Sequence, residues 1–370
     1  MIICRNNKGQ TVFGLALALR DLGLAQALSA FSNGFSTEID ERTGLTFLQR
    51  AIDLNDVEGA QFLLQIKINV INPGRHPNRD SPMHMAAARG LVSLMELILR
   101  TDPSSHEIMN DQGRTPLHLA ALSNHLVACD LLVRQPRCVA QDVEGNTALH
   151  LAIAAQHWAL AHLLIEKAPA MGKRVNTREE LPIHVLARAA PLKHAPGGGA
   201  GKGGAKSKSS EALVAMLELL CQAAEDVDVR DGEGNTALLK AFLNANEIVA
   251  VELMRRGGSI TAKNHAGQSI MDHIPNEGAS EDAFARLRIQ RQLFDLVDKD
   301  MPWQDGPVCE LCQAKFTFQK RKHHCRHCGR VGCSNCLPSN RQFAIAKFGL
   351  TKPERLCAPC YDYLSVPAAI

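Results

Sequence analysis

Eight of the twelve cysteines lie between Cys309 and Cys360, in four C-x2-C pairs separated by twelve, four and twenty residues. Thiolates in such pairs are soft ligands with the bite that tetrahedral zinc requires, and eight of them suit two Cys4 sites holding two Zn2+. A Cys4 set leaves no open coordination position, so this metal is expected to be structural. Nothing elsewhere in the chain pairs a nucleophile with a base, and no enzyme activity is expected. The four-residue gap between Cys328 and Cys333 is too short for the second and third pairs to curl back onto one ion. The expected assignment is interleaved, with Cys309, Cys312, Cys333 and Cys336 on one zinc and Cys325, Cys328, Cys357 and Cys360 on the other. About sixty residues with few large apolar side chains build little core, so the metals supply most of the folding free energy.

The residues between the ligands are cationic. Residues 301–370 carry ten basic and four acidic side chains, net +6, against net −3 for residues 1–300. The small end therefore seeks an anionic partner: nucleic acid, an acidic membrane surface or a phosphorylated headgroup. Arg321, Lys322, His323, His324, Cys325 and Arg326 read RKHHCR, then HCG follows, and Arg355, Leu356 and Cys357 read RLC. This stretch resembles the FYVE zinc finger, whose hallmarks are R-[RK]-H-H-C-R, a W-x-x-D before the first cysteine and R-V-C before the last pair. The likeness covers residues 303–363. It departs in two places: Asp305 follows Trp303 by two residues rather than three, and Leu356 replaces valine.

The resemblance implies a reader of phosphatidylinositol 3-phosphate. Guanidinium and ammonium groups of Arg321, Lys322, Arg326 and Arg355 would meet phosphate, and His323, His324 and Asp305 would bind ring hydroxyls and exclude other headgroups. A membrane-entering turret lies between the first two cysteine pairs in that family, which puts Phe316 at a packed position and Phe318 with Gln319 at the exposed tip. A RING-like ubiquitin ligase with a substrate-binding repeat surface is the alternative with the same zinc topology. That class places a C-x-H step among its central ligands, whereas both central pairs here are C-x2-C. Nucleic acid is not expected as a partner, because the finger has no helix with spaced base-reading residues.

Upstream, one pattern recurs at Thr11, Thr46, Ser81, Thr115 and Thr147, and more weakly at Leu181, Thr236 and Ser269, at intervals of 35, 35, 34, 32, 34, 55 and 33 residues. A period near 33 with a T-P-L-H-x-A core resembles the ankyrin repeat, and residues 111–133 match it closely. The fold class expected is mostly α: an ankyrin-repeat solenoid followed by a small cross-braced FYVE finger with two zincs. Each helix pair buries its apolar face only against its neighbours and leaves an extended surface for protein ligands. In the fourth copy Gly113 supports a tight loop, Thr115 and Pro116 start the first helix, and Leu126, Ala128, Leu131 and Leu132 form the apolar stripe of the second. His84, His118, His150 and His184 are expected to tie neighbouring loops by hydrogen bonds rather than hold metal. Cys4, Cys129, Cys138 and Cys221 are expected in the core.

The 55-residue interval contains a Gly/Lys/Ser insert, residues 192–210, read as a flexible loop, since its glycines and lysines lack the phosphate-loop order. The expected organisation is repeats over 1–277, a connecting helix over 278–300 and the finger over 301–366. Ser280 is the expected N-cap of that helix, and Phe284, Leu287, Leu293, Phe294 and Val297 its apolar stripe. The chain opens in the loop before Thr11 with no polar capping helix, so it is expected to be the C-terminal portion of a longer array. No apolar run is long enough for a bilayer span, and the first residues carry no signal or transit pattern.

Repeats followed by a FYVE finger resemble endosomal effectors of the rabankyrin type. That likeness implies a cytoplasmic protein, peripheral on the cytosolic face of early endosomes. It also implies an early-endosomal Rab GTPase as partner and a role in endocytosis and macropinocytosis.

Overall fold

The computed structural model describes residues 6, 11–31, 39–40, 43–66, 68–189, 208–272, 281–297 and 306–365. They fall into two compact units, one of residues 1–185 with 202–225 and the other of 186–201 with 226–370.

The first unit is a stack of helix pairs, Phe47–Asp53 with Val57–Gln65, Pro82–Arg89 with Val92–Thr101, Pro116–Leu122 with Leu126–Val133, and Ala148–Ala154 with Trp158–Lys167. Each first helix starts where a Thr or Ser in extended backbone satisfies an orphan N–H. Thr46, Ser81, Thr115 and Thr147 all form capping boxes with the residue three further on. In three of the four that residue is histidine. The His118 Nε2–H reaches the carbonyl of Asn146 at 3.1 Å, so Nδ1 accepts from the Thr115 hydroxyl at 2.9 Å and the Thr115 N–H at 3.1 Å. His84 and His150 repeat this with Arg114 and Glu180 as the carbonyl partners. Gln49 does the same work in the second repeat, accepting from Thr46 N–H and donating to the Asp80 carbonyl at 2.6 Å. Burial drives all three histidines below their ordinary range, His118 to about 4, so they are neutral at pH 7.

The loops repeat as faithfully as the helices. Asn110, Asp142 and Asn176 each turn their own backbone by accepting two N–H groups, two and four residues on. Gly113 has φ +67, and a side chain there would meet the Val143 backbone N at 3.0 Å.

Three expectations need correction. Leu126 is 41% exposed, and the buried face of its helix is Ala128, Cys129, Leu132 and Val133. Of the scattered cysteines among the described residues only Cys129 is in the core, where burial pushes its thiol up to about 12; Cys138 and Cys221 are half-buried, and Cys4 lies outside the described residues. The loop read over 192–210 ends early, because Lys208–Ser210 are the first turn of a 17-residue helix, Lys208–Ala224, and 192–207 lie outside the described residues.

In the second unit, helices Ala237–Leu243 and Glu247–Arg255 form a repeat in which Leu239 stands where the histidine would be. Its loop is held instead by a buried Lys240–Asp231 ion pair, 2.6 Å. A short 3-10 turn, Ile270–Asp272, begins the next copy. The connecting helix runs Glu281–Asp295. Leu293, Phe294 and Val297 are buried and Leu287 is half-buried, while Ser280 and the Phe284 side chain lie outside the described residues. Ile289, fully buried, belongs to the inward face but lies off the stripe read from the sequence. The finger has two antiparallel hairpins and a closing helix, Ala358–Ser365. Strands β1 (Lys322–His324) and β2 (Val331–Cys333) pair with His323 opposite Gly332; β3 (Gln342–Phe343) and β4 (Glu354–Arg355) pair with Gln342 opposite Arg355.

Candidate metal centres and their cationic face

Two C-x2-C turns are built alike. The N–H of Gln313 returns to the carbonyl of Cys309 at 2.8 Å, and that of Gly329 to Cys325 at 2.9 Å. Both closing residues need positive φ, +58 at Gln313 and +71 at Gly329, a conformation glycine adopts freely and glutamine at a cost. The pairs at Cys333 and Cys357 sit on helical turns instead, with Leu337 and Tyr361 donating back to the first cysteine's carbonyl. Gly332 on β2 has no room for a side chain, since a Cβ would lie 2.7 Å from Leu337 Cδ1.

These turns gather the thiols into two groups, Cys309 with Cys312, Cys333 and Cys336, and Cys325 with Cys328, Cys357 and Cys360, the ligand atoms of each lying within 4.8 Å of one another. Zinc with bonds of about 2.3 Å sets neighbouring sulphurs about 3.8 Å apart at tetrahedral geometry. The sulphurs of Cys312 and Cys333 are 3.9 Å apart and those of Cys328 and Cys357 3.8 Å. Backbone N–H groups also point at sulphur, Cys333 at Cys309 Sγ and Cys357 at Cys325 Sγ, both at 3.3 Å. Burial opposes ionisation of Cys309, but the N–H groups of Cys333, Cys312 and Leu311 outweigh it and bring the thiol down to about 7. Cys360, enclosed among three other thiols, is pushed the other way by burial and by those thiols. The donor set fits two zinc ions, which supply the missing positive charge when bound. The two sites differ in cover: the second is buried at all four ligands, whereas Cys312 is exposed and Cys336 half-buried.

The cationic face grows out of β1. Alternation along the strand separates its side chains. The Lys322 ammonium lies 5.6 Å from the centre of the Phe316 ring, while His323 Nε2 takes an N–H from Arg355 Nη1 at 2.9 Å. Partial burial, then the charges of Arg355, Arg321 and His324, hold His323 below its ordinary range, so it acts as an acceptor and aims the guanidinium. β4 follows the same edge: the N–H of Arg326 donates to the Arg355 carbonyl at 3.1 Å, and the Arg326 guanidinium pairs with Glu354 at 3.5 Å. His323 and Arg355 are thus brought together within reach of the Arg321 charge, Arg326 joins them through its backbone while its guanidinium turns to Glu354, and both Lys322 and Arg321 lie against turret rings. Asp305 and Trp303 lie outside the described residues.

Phe318 stands at a turn closed by Thr317 and Lys320 and is 88% exposed, with the Arg321 guanidinium 5.6 Å from its ring centre and Gln319 exposed beside it. Phe316 is half-buried rather than packed in a core. An exposed phenyl ring flanked by fixed cations can enter an apolar phase while the cations hold anions at its boundary.

Residues 300–366 match the family model described as the FYVE zinc finger, and residues 83–179 that of ankyrin repeats in three copies. Over 98% of its length the chain is 29% identical to Rabankyrin-5 of Mus musculus, of which the match covers 28%. Over 28% of its length it is 37% identical to the hepatocyte growth factor-regulated tyrosine kinase substrate of Drosophila melanogaster, covering 13% of that protein. The chain therefore spans little more than a quarter of the Rabankyrin-5 length. Among solved structures it is similar to the ankyrin repeat domain of Bcl-3, with TM-score 0.50 and 20% identity, over 66% of this chain and 99% of that one. That likeness bears on the fold alone.

Proposed function

We propose that this chain, which carries ankyrin repeats and a FYVE zinc finger, is an endosomal scaffold that binds phosphatidylinositol 3-phosphate through the finger and proteins through the repeats. The observation that carries this reading is the fixed Arg355–His323 pair beside Arg321 and Arg326, next to the exposed Phe318. Guanidinium forks suit phosphate oxygens, and a neutral histidine offers a donor or an acceptor to ring hydroxyls. His324, Lys322 and Asp305 complete the headgroup contacts in this reading; Phe318 and Gln319 enter the bilayer.

Neither part suffices alone. Burying one phenyl ring contributes about 1.5 to 3 kcal/mol, and each lysine or arginine near an anionic leaflet about 1 kcal/mol. Together with headgroup recognition they hold the chain peripherally on the cytosolic face of early endosomes. No helix of the described residues is long and apolar enough to cross a membrane. We take an early-endosomal Rab GTPase as one protein partner, from the likeness to Rabankyrin-5, and endocytic trafficking as the process.

The test is sedimentation of the full chain with vesicles that differ only in which phosphoinositide they carry. Selective recovery with the 3-phosphate supports the reading. Equal recovery with every anionic lipid would reduce the face to a general cationic patch.

A further inference from the structure

Arg330 counts among the ten cations of the cysteine-rich end but is no part of their face. It lies between ligands Cys328 and Cys333, 2% exposed, and points at the last repeat. Its Nη2 donates to Ser269 Oγ at 3.0 Å, and its Nη1 pairs with Asp272 at 3.1 Å. Its Nε faces Glu310 at 3.9 Å, and Glu310 also pairs with Lys263 at 3.6 Å. Ser269 and Asp272 are themselves joined through the Ser269 hydroxyl, 2.6 Å. One buried guanidinium therefore links a loop between ligands of both zinc sites, the knuckle residue Glu310 and the N-terminal turn of the final repeat.

A second contact engages the other face of the finger. His327, buried between Cys325 and Cys328, has Nδ1 3.3 Å from Cys360 Sγ. Its ring stacks on Phe348 at 5.6 Å and meets Phe294 of the connecting helix edge-on at 5.5 Å. Lys347 caps that helix by donating to the Phe294 carbonyl at 2.9 Å, and Tyr363 donates to Asp295. Gln290 of the same helix donates to the Ile270 carbonyl at 3.1 Å, which closes the circuit back to the final repeat.

We infer that the final repeat, helix Glu281–Asp295 and the finger form one locked body, with Arg330 and His327 as positioning residues between the zinc tetrads and the repeat. A finger held on a membrane then holds the repeats of this unit at a fixed orientation to the surface instead of trailing them on a tether. The inference rests on packing within the unit and stands or falls apart from the lipid reading.

The test is amide hydrogen exchange of the full chain, read by mass spectrometry before and after zinc is removed with a chelator. In the wild type, removal should speed exchange in residues 262–272 and 281–297 along with 306–365, on the order of tenfold or more, with helix Pro116–Leu122 unchanged. In Arg330→Met with zinc content intact, the response of 262–272 should be lost; Arg330→Lys should restore it in part. If Arg330→Met fails to hold zinc, the double variant Ser269→Ala with Asp272→Ala removes both partners of Arg330 on the repeat side without touching the finger and should give the same loss. Exchange in 262–272 that ignores zinc removal in the wild type would overturn the inference, and so would a full wild-type response in that double variant.

Discussion

His118 in the fourth repeat has both ring nitrogens committed to its own cap and the next loop, while His323 in the finger is half-buried and takes an N–H from Arg355 that a phosphate would compete for. The same side chain closes a structure in one region and leaves a site open in the other. Cover explains the contrast. The repeats bury apolar helix faces against one another, so their histidines lie in a dry interior where only the neutral ring is tolerated. The finger has little apolar interior, delegates its stability to metal and, Arg330 and His327 apart, keeps the polar side chains between its ligands partly or fully exposed. One region satisfies its polar groups internally; the other leaves some of its donors facing outward.

The sharpest way to break this comparison is to remove zinc. Structural sites of this kind contribute on the order of 10 kcal/mol each, more than such a small module can replace. Chelation should abolish protection throughout 306–365 while helices Pro116–Leu122 and Ala148–Ala154 keep theirs. Because Cys312 is exposed and Cys336 half-buried, the Cys309 site should surrender its metal first, giving two kinetic phases with a chromogenic chelator. A single phase would mean that the two sites are equivalent.

Acid should act on the repeats through their buried histidines. His118 has a folded value of about 4 against an ordinary 6.5, so between those values the unfolded chain binds more protons. Its contribution, about 3 kcal/mol, is complete above pH 6.5 and is lost as pH falls through 6.5 toward 4. His84 and His150 are lowered in the same direction and add to the slope. Denaturant melts of the first unit's signal at pH 7.5, 6 and 5 should show falling midpoints, and His118→Gln should flatten the dependence. A profile that does not move would mean that these rings are not held neutral.

A smaller effect sharpens the functional side. Phe318→Ala should weaken vesicle binding by about 1.5 to 3 kcal/mol, roughly ten- to a hundredfold, with no change in melting temperature. Affinity for a soluble short-chain headgroup should be unaffected. Equal loss against both ligands would place Phe318 in the headgroup contact.

Much of this was written in local spacing. The C-x2-C pairs and the residues flanking them locate both thiol groups, because a tetrahedral ion dictates spacing along the chain; the hydroxyl-to-histidine caps follow equally from a four-residue signature. What escaped reading was decided across long separations. Gln49 replaces a capping histidine through contacts 24 and 31 residues away, and Lys240 takes over where Leu239 cannot bond. Ile289 turns inward because of what packs on it, and Cys138 and Cys221 stay half-buried for want of such cover. Arg330 looked like one more surface cation, and only its partners 58 and 61 residues upstream put it inside.

In the proposed function a zinc-braced finger presents Arg355 and His323 to a phosphorylated headgroup. Titration of the zinc-loaded full chain with short-chain phosphatidylinositol 3-phosphate, wild type against Arg355→Ala, tests it most directly, with metal content measured on both. The wild type should bind saturably and the variant should lose about tenfold or more, as befits one charge-assisted contact, with two zinc ions per chain in each. Equal affinities at equal zinc content would contradict it.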